Sequence, residues 1–160
     1  MATGPPATSD VVRRRFESQG RRDTAPELRL RREVHRRGLR YRVDRAVPGL
    51  ARVRPDLLFT RARIAVFVDG CFWHACPEHA HIPKSNTRWW LEKLDGNVLR
   101  DRRADARLDA LGWRVLHIWE HEDPGEAADR VENAVRGTVS RGHGPAVPPG
   151  QGPRGATGEP

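Results

Sequence analysis

The chain has 160 residues, 37% of them hydrophobic, which suits one folded domain with a modest core. No apolar run is long enough for a membrane span or resembles a secretory signal, so we expect a cytoplasmic protein without membrane contact. The 29 Lys and Arg residues against 21 Asp and Glu residues give a net charge of +8, which favours a nucleic-acid partner. A genomic bias towards arginine would explain the scarcity of lysine but not the sign of the charge.

The compositions at both ends of the chain do not favour folding. Residues 1–10 are small, polar and contain proline, and residues 141–160 are rich in glycine and proline. Neither segment can bury a core, so we expect both to be disordered. The predicted domain therefore covers residues 11–140.

The first predicted helix begins with a capping-box pattern, TAPE at 24–27, and continues through LRLRREVHRR to Gly38. In this pattern Glu27 accepts hydrogen bonds at the start of the helix, which is a sufficient structural role for it. Residues 40–47 alternate between polar and apolar types and predict a strand, and Pro48 and Gly49 predict a turn after it.

The remaining periodicity alternates between strand and helix. Strands are predicted at 56–60, 64–69 and 113–119, and helices at 87–111 and from 123 to about 139. This order predicts a mixed α/β domain with a central sheet flanked by helices.

Residues 68–81, VDGCFWHACPEHAH, contain both cysteines of the chain. In a reducing compartment a disulfide between them is disfavoured, whereas thiolate and imidazole are ligands that zinc prefers. The fourth ligand of a structural site would be His121, just after the last strand, or the nearer His81. The alternative is that the cysteines are simply buried apolar residues. The ligand types occur with the spacing C-x4-C-x2-H, at Cys71, Cys76 and His79.

Two acids stand at the mouths of neighbouring predicted strands. Asp56 follows Pro55 at the start of one strand, and Asp69 ends the next. Their carboxylates could share a Mg²⁺ ion, since hard oxygen ligands suit this cation. His74, between the two cysteines, is either a further zinc ligand or a group that moves protons near a phosphate.

Two sets of side chains could contact DNA. Phe72 and Trp73 are adjacent, and neighbours in extended chain point in opposite directions, so both cannot easily enter one core. They are either apolar wedges that open a base step or ordinary core residues. Lys93, Asn97 and Arg100 share a face of the long predicted helix, which is either a solvated face or a set of donors to DNA.

Together these segments resemble the very short patch repair (Vsr) mismatch endonucleases. The resemblance covers about residues 15–140. It is carried by PD at 55–56, VFVDGCFWHACPEH at 66–79, PKSN at 83–86, W-x-x-K-x-x-x-N-x-x-RD at 90–101 and GWRVLHIWEHE at 112–122.

The resemblance implies the restriction-endonuclease-like fold of the PD-(D/E)xK superfamily with a structural zinc site. It implies Mg²⁺-dependent nicking of double-stranded DNA, 5′ to the mispaired thymine of T:G mismatches that arise when 5-methylcytosine deaminates. It further implies a functional link to a cytosine-5 DNA methyltransferase and association with the nucleoid during repair. We expect a monomer, because one nick needs one active site. Two other functions stay open: a restriction-like nuclease of the same fold with another target, and a non-catalytic zinc-stapled DNA-binding module.

The resemblance also assigns roles to individual residues. His121 stands where the best-known members carry cysteine, and Asp69 where some carry histidine. The implied roles are Mg²⁺ binding by Asp56 and the Val68 carbonyl, proton transfer by His74 with Asp69 and Glu27 at the active site, intercalation by Phe72 and Trp73, and zinc binding by Cys71, Cys76, His79 and His121.

Overall fold

A computed structural model describes residues 22–79, 82, 84 and 86–140. The predicted mixed α/β class is confirmed, whereas the disorder predicted for residues 1–10 and 141–160 concerns residues outside the described ones. None of the described helices is both long and apolar enough to cross a membrane. In chain order the elements are α1 (Ala25–Arg36), β1 (Leu57–Phe59), β2 (Ile64–Asp69), α2 (Thr87–Ala110), β3 (Arg114–Trp119) and α3 (Pro124–Ser140).

Within the described residues the sheet has three strands in the order β1-β2-β3. β1 pairs antiparallel with β2, and β2 pairs parallel with β3 in a register that sets Asp69 beside Trp119. A parallel pair needs a crossover connection, which here contains α2. The crossover returns the chain so that β2 and β3 both end at the same edge of the sheet.

The two faces of the sheet are covered by different elements. Alternate residues point to opposite faces of a strand, so Ile64 and Val66 face one layer and Ala65 faces the other. The first layer is α1 with α3, joined to the sheet through residues such as Leu30 and Val131. The second layer contains the α2 residue Leu108 together with Trp113, Leu58 and the loop residues Val47 and Leu50.

The strand predicted over residues 40–47 is wrong. Only Arg42 pairs there with the sheet, through one isolated antiparallel bridge to Leu58. Asp44 has a φ of 52°, which turns the chain out of the extended conformation. Alternation of residue types therefore misled the prediction, because no face of residues 42–45 is buried against a layer.

The predicted helix boundaries are largely confirmed. Thr24 is the N-cap of α1, and the chain leaves the helix through Gly38, whose φ is 80°. Gly112 follows α2 with a φ of 75°, a conformation that glycine adopts without the steric cost of a Cβ.

Candidate active site and metal centre

Asp56 lies just before β1, beside the end of β2. Its backbone N–H donates to the Val66 carbonyl at 2.9 Å, and its Oδ2 accepts from the Val68 N–H at 2.7 Å. Burial raises the pKa of Asp56 to about 6, and the negative charges of Glu27 and Asp69 act in the same direction. The carboxylate is therefore costly to ionise in place unless a cation offsets its charge.

Glu27 is buried at the start of α1, with 5% of its surface exposed. Its carboxylate accepts from the Asp23 N–H at 2.8 Å and from the Thr24 hydroxyl at 2.9 Å, and Arg31 lies 3.3 Å from it. Thr24 is the N-cap but makes no side-chain cap bond to the helix, and Glu27 accepts from the N–H of the residue before the N-cap, so the two bonds of the predicted capping box do not form. Glu27 thus anchors the start of the helix and also adds negative charge near Asp56.

Asp69 and His74 meet at the end of β2, within a set of alternating acids and histidines. The Nδ1 of His74 lies 2.7 Å from Asp101 Oδ2 and 3.8 Å from Asp69 Oδ1. Asp69, 6% exposed, directs its other oxygen at His117 Nδ1, 2.6 Å away. The Nε2 of His117 lies 3.1 Å from Asp105. This acid–histidine chain connects the loop after β2, strand β3 and helix α2.

Sequence reasoning missed three members of this chain: Asp101, Asp105 and His117. Asp101 and Asp105 follow Asn97 at four-residue spacing on α2, a pattern that marks one helix face. His117 is a polar residue within the apolar run WRVLHIW, which was the available signal for a special role. Neither signal indicates which partner each residue meets.

Phe72 and Trp73 do not point in opposite directions as predicted. Their rings contact edge to face with centroids 5.1 Å apart, and the Phe72 ring lies 5.2 Å from that of Trp90 on α2. The local expectation is wrong because the chain turns here: Ala75 has a φ of 52°, and the His74 N–H bonds to the Gly70 carbonyl at 3.1 Å. Both rings are half-buried and rest on Trp90, which is 3% exposed.

The predicted DNA-facing side chains of α2 occupy different surroundings. Asn97 donates through Nδ2 to the Trp73 carbonyl at 3.1 Å, and Arg100 donates to Asn97 Oδ1 at 2.9 Å. Lys93 is exposed. Asn97 therefore braces the aromatic loop, and Arg100 and Lys93 lie on the solvent side.

The loop after β2 also brings together four side chains that could hold a metal ion. Their ligand atoms all lie within 4.8 Å of one another. Cys71 Sγ is 3.0 Å from His121 Nδ1, and Cys76 Sγ is 3.8 Å from His79 Nδ1 and 3.9 Å from His121 Nδ1. The members are Cys71, Cys76, His79 and His121.

This donor set fits zinc. Zinc–sulfur and zinc–nitrogen bond lengths in a tetrahedron imply ligand atoms roughly 3.3–3.8 Å apart, close to the spacings found here. Both cysteines are free and buried, and burial together with the neighbouring Cys76 raises the pKa of Cys71. A bound cation would offset the cost of a thiolate at this position. The alternative ligand His81 lies outside the described residues.

Strand pairing positions both ends of the cluster. The Glu120 N–H donates to the Asp69 carbonyl at 3.0 Å, and Glu120 Oε1 accepts from the Cys71 N–H at 2.8 Å. These bonds hold the loop after β2 against the chain that follows β3, which carries His121. The candidate metal-ligand cluster and the acid–histidine chain are therefore adjacent, and Asp69 connects them: its carbonyl bonds to the chain that carries His121, and its carboxylate bonds to His117.

A family model and curated relatives both match this chain. The model for the DNA mismatch endonuclease Vsr matches residues 6–79. The type II nicking enzyme V.NaeI of Lentzea aerocolonigenes is 44% identical over 125 residues, which cover 76% of this chain and 75% of the relative. This chain belongs to the Vsr endonuclease family. It is thereby a nuclease of a family that acts on DNA.

Two further relatives show how the Vsr family is divided by name. The DNA mismatch endonuclease Vsr of Escherichia coli K12 is 46% identical over 105 residues, covering 62% of this chain and 62% of the relative. The type II nicking enzyme V.XorIIP of Xanthomonas oryzae pv. oryzae is 39% identical over 130 residues, covering 77% of this chain and 92% of the relative. Nicking is thus the activity named for two of these relatives, and mismatch cleavage for the third.

The PD-(D/E)xK pattern is incomplete in this Vsr-family chain. Pro55 and Asp56 provide the first part, and Asp69 ends the neighbouring strand. Two residues after Asp69, where the pattern has lysine, this chain has Cys71. No lysine therefore follows the second acid at the spacing that the pattern specifies, and assignment to that superfamily stays a prediction.

We expect purified protein to contain about one zinc ion per chain, and its removal by a chelator to lower the melting temperature. Structural zinc contributes folding free energy, so Cys71→Ser or Cys76→Ser should lower the melting temperature by roughly 10 °C or more. Elemental analysis and thermal melts measure both effects. His121→Ala should behave like the cysteine variants, while His81→Ala and the exposed His35→Ala should melt like the parent. Equal melting of metal-free and metal-loaded protein would rule out a structural metal.

We expect Asp56→Asn to stabilise the metal-free protein. Because burial raises the pKa of Asp56 from 3.8 to about 6, its ionised form is disfavoured in the folded state, and one pKa unit corresponds to about 1.4 kcal/mol. The variant should gain about 1–3 kcal/mol above pH 6, and the gain should fade as pH falls towards 3.8, where the aspartic acid is neutral in both states. Urea melts in a chelator across this range measure the gain. An unchanged or lower stability at pH 7 would contradict it.

Proposed function

We propose that this chain nicks double-stranded DNA at T:G mismatches, on the 5′ side of the mispaired thymine, with Mg²⁺ at the catalytic site. The observation that carries the proposal is that Asp69, 3.8 Å from His74 and close enough to act on the charge of Asp56, ends the strand that leads into the half-buried Phe72–Trp73 pair. Cleavage chemistry and an aromatic wedge would then act on the same base step.

The acids at this edge fit a divalent cation. The pKa of Asp56 is raised chiefly because burial opposes ionisation, and the negative charges of Glu27 and Asp69 act in the same direction. Asp56 and the Val68 carbonyl would hold Mg²⁺, whose hard oxygen preference suits this set. When bound, the ion would orient a water and stabilise the charge that develops on the phosphate.

His74 is oriented for proton transfer. Its Nδ1 lies 2.7 Å from Asp101, so an N–H donated to this carboxylate would leave Nε2 to exchange a proton with the phosphate or the attacking water. This is the arrangement by which a carboxylate fixes the tautomer of a catalytic imidazole. Asp69 Oδ1 lies 3.8 Å from the same nitrogen, on the side of the ring that faces the sheet edge. Glu27 would act on this site through its charge and by anchoring α1.

The aromatic pair suits recognition of a weakened base step. A T:G pair stacks less well than a Watson–Crick pair, so opening the step beside it costs less, and an inserted ring recovers stacking energy. Trp90 below and Asn97 beside the loop hold the pair in place, which limits the entropy lost on binding. Lys93 and Arg100 would contact the DNA backbone from the same helix.

The biological setting follows from the same proposal. T:G mismatches arise when 5-methylcytosine deaminates, so the enzyme would operate in a cell that contains a cytosine-5 DNA methyltransferase. It would act as a cytoplasmic monomer on nucleoid DNA. A nuclease of this family with another target is the second candidate, because several relatives are named as nicking enzymes without a stated mismatch.

Paired duplexes separate these candidates. Purified protein with Mg²⁺ is incubated with matched duplexes that carry T:G or T:A at one position, in several sequence contexts, and the nicked strand and position are mapped. We expect nicking of T:G alone, 5′ to the thymine. Equal nicking of both duplexes would support a nuclease of this family with another target, and binding without nicking would support a non-catalytic DNA-binding module.

Asp56→Asn should abolish nicking and keep, or slightly strengthen, binding to T:G duplex. The substitution removes the charge that holds the cation, while loss of a negative group favours approach of a polyanion. Single-turnover nicking and fluorescence anisotropy measure the two effects. Asp109→Asn, the same change at an exposed position in the last turn of α2, is the matched control and should nick like the parent. Full activity of Asp56→Asn would remove this residue from the mechanism.

Trp73→Ala should reduce the preference for T:G over T:A more than it reduces stability. Base–aromatic stacking contributes about 1–3 kcal/mol, so the preference should fall roughly 5- to 150-fold. Nicking rates on both duplexes and thermal melts of the same variant measure this. Trp113→Phe, in the core beside Leu108 at the C-terminal end of α2, is the control and should lower the melting temperature with the preference unchanged. The reverse result for Trp73→Ala, a large loss of stability with the preference kept, would make Trp73 a core residue.

A further inference from the structure

His117 occupies the middle of β3 between carboxylates from two other elements. Its Nδ1 lies 2.6 Å from Asp69 Oδ2 at the end of β2, and its Nε2 lies 3.1 and 3.2 Å from the two oxygens of Asp105 on α2. The ring stacks on Phe67 of the neighbouring strand, with centroids 5.5 Å apart and planes 19° from parallel. Three contacts from separate directions therefore fix the imidazole.

This geometry requires the charged form of the ring. An ionised carboxylate only accepts hydrogen bonds, so an imidazole that bonds to carboxylates through both nitrogens must donate through both. The hydrogen bond to Asp69, together with the charges of Asp69 and Asp105, raises the pKa of His117 to about 9. His117 is therefore a cation at neutral pH, held between two anions.

The orientation of Asp69 depends on this cation. One carboxylate oxygen is taken by His117, and the other is the one directed at His74, 3.8 Å from its Nδ1. Asp101 and Asp105 on α2 and Asp56 before β1 add three further acids around this edge. Without a positive group, the buried Asp69 carboxylate would be repelled by these neighbours and lack its closest partner.

We propose that His117 is a positioning residue for the candidate active site: fixed between Asp69 and Asp105, it orients Asp69 towards His74 and ties α2 to the sheet. The inference rests on the proposed nuclease site for its functional consequence, but the arrangement itself can be tested without substrate. His117 does not itself contact the reacting groups; it contacts Asp69, which lies beside His74, so its effect passes through these two residues.

The first test is spectroscopic and uses the full chain. Nitrogen-15 shifts of the histidine rings near pH 7.5, about one unit above the ordinary histidine pKa, should show His117 protonated on both nitrogens. In His117→Gln, the ring resonances of His74 should shift, because Asp69 loses the partner that orients it. A neutral His117, or a His74 spectrum that is the same in parent and variant, would overturn the proposal.

The second test is kinetic. His117→Gln should lower the single-turnover nicking rate roughly 10- to 100-fold with little change in DNA affinity, the size expected when a reactive group is displaced by about 1 Å. Asp105→Asn, which leaves the bond from His117 to Asp69 in place, should lower the rate less than about threefold. Val115→Ala is the control for stability. Val115 lies on the same strand and packs against the core cluster that contains Leu108, so this variant should keep the parent rate.

The outcomes separate the two proposals. If the parent protein nicks none of the duplexes, the proposed function fails, and the spectra alone still decide whether His117 positions Asp69 and His74. If the parent nicks and His117→Gln nicks at the parent rate, His117 is only a structural ion pair. His117→Phe, which keeps a ring beside Phe67 but cannot donate, provides a second variant should the glutamine form fold poorly.

Discussion

Parallel pairing between β2 and β3 is the constraint on which both the candidate active site and the candidate metal centre depend. The register sets Asp69 beside Trp119, so the loop after β2 and the chain after β3 leave the sheet together. Cys71 and His121, 50 residues apart, thereby come within 3.0 Å. The same register puts His117, two residues before Trp119 and on the same face, within reach of the Asp69 carboxylate. A different register would move His121 away from Cys71 and would also break the contact between His117 and Asp69.

Helix α2 is the crossover that the parallel pair β2–β3 requires, and it also packs against the edge of the sheet where the candidate site lies. One stretch of its surface packs Leu108 into the core, while Trp90 supports the aromatic loop. Between them, Asp101 and Asp105 meet His74 and His117. The helix thus supplies the partners of the histidines as well as the connection between the strands, which couples the stability of the domain to the geometry of its site.

The electrostatics of the site run against the composition of the chain. The sequence carries a net charge of +8, yet acids cluster at the edge of the sheet, where His74 and His117 lie among them and Arg31 pairs with Glu27. An excess of positive charge over the chain favours approach of a polyanion, whereas a local cluster of carboxylates favours a divalent cation. On the proposed function, this separation of charge would let one small domain attract both the DNA and the cation.

The sequence by itself determined the local elements and the chemical types at the site. Apolar runs and terminating glycines located β2 and the ends of the helices, and the C-x4-C-x2-H spacing indicated a metal site whose ligands the structure brings together. Where the prediction relied on alternation alone, at residues 40–47, it failed, because alternation produces a strand only when one face has a layer to pack against. Only the tertiary structure decided that His117 joins Asp69 to Asp105, 48 and 12 residues away, and that Phe72 packs on Trp90. Such pairings depend on strand register and on the rotation of a helix over the sheet, which are fixed by the packing of the whole core and leave no signal in the residues that meet.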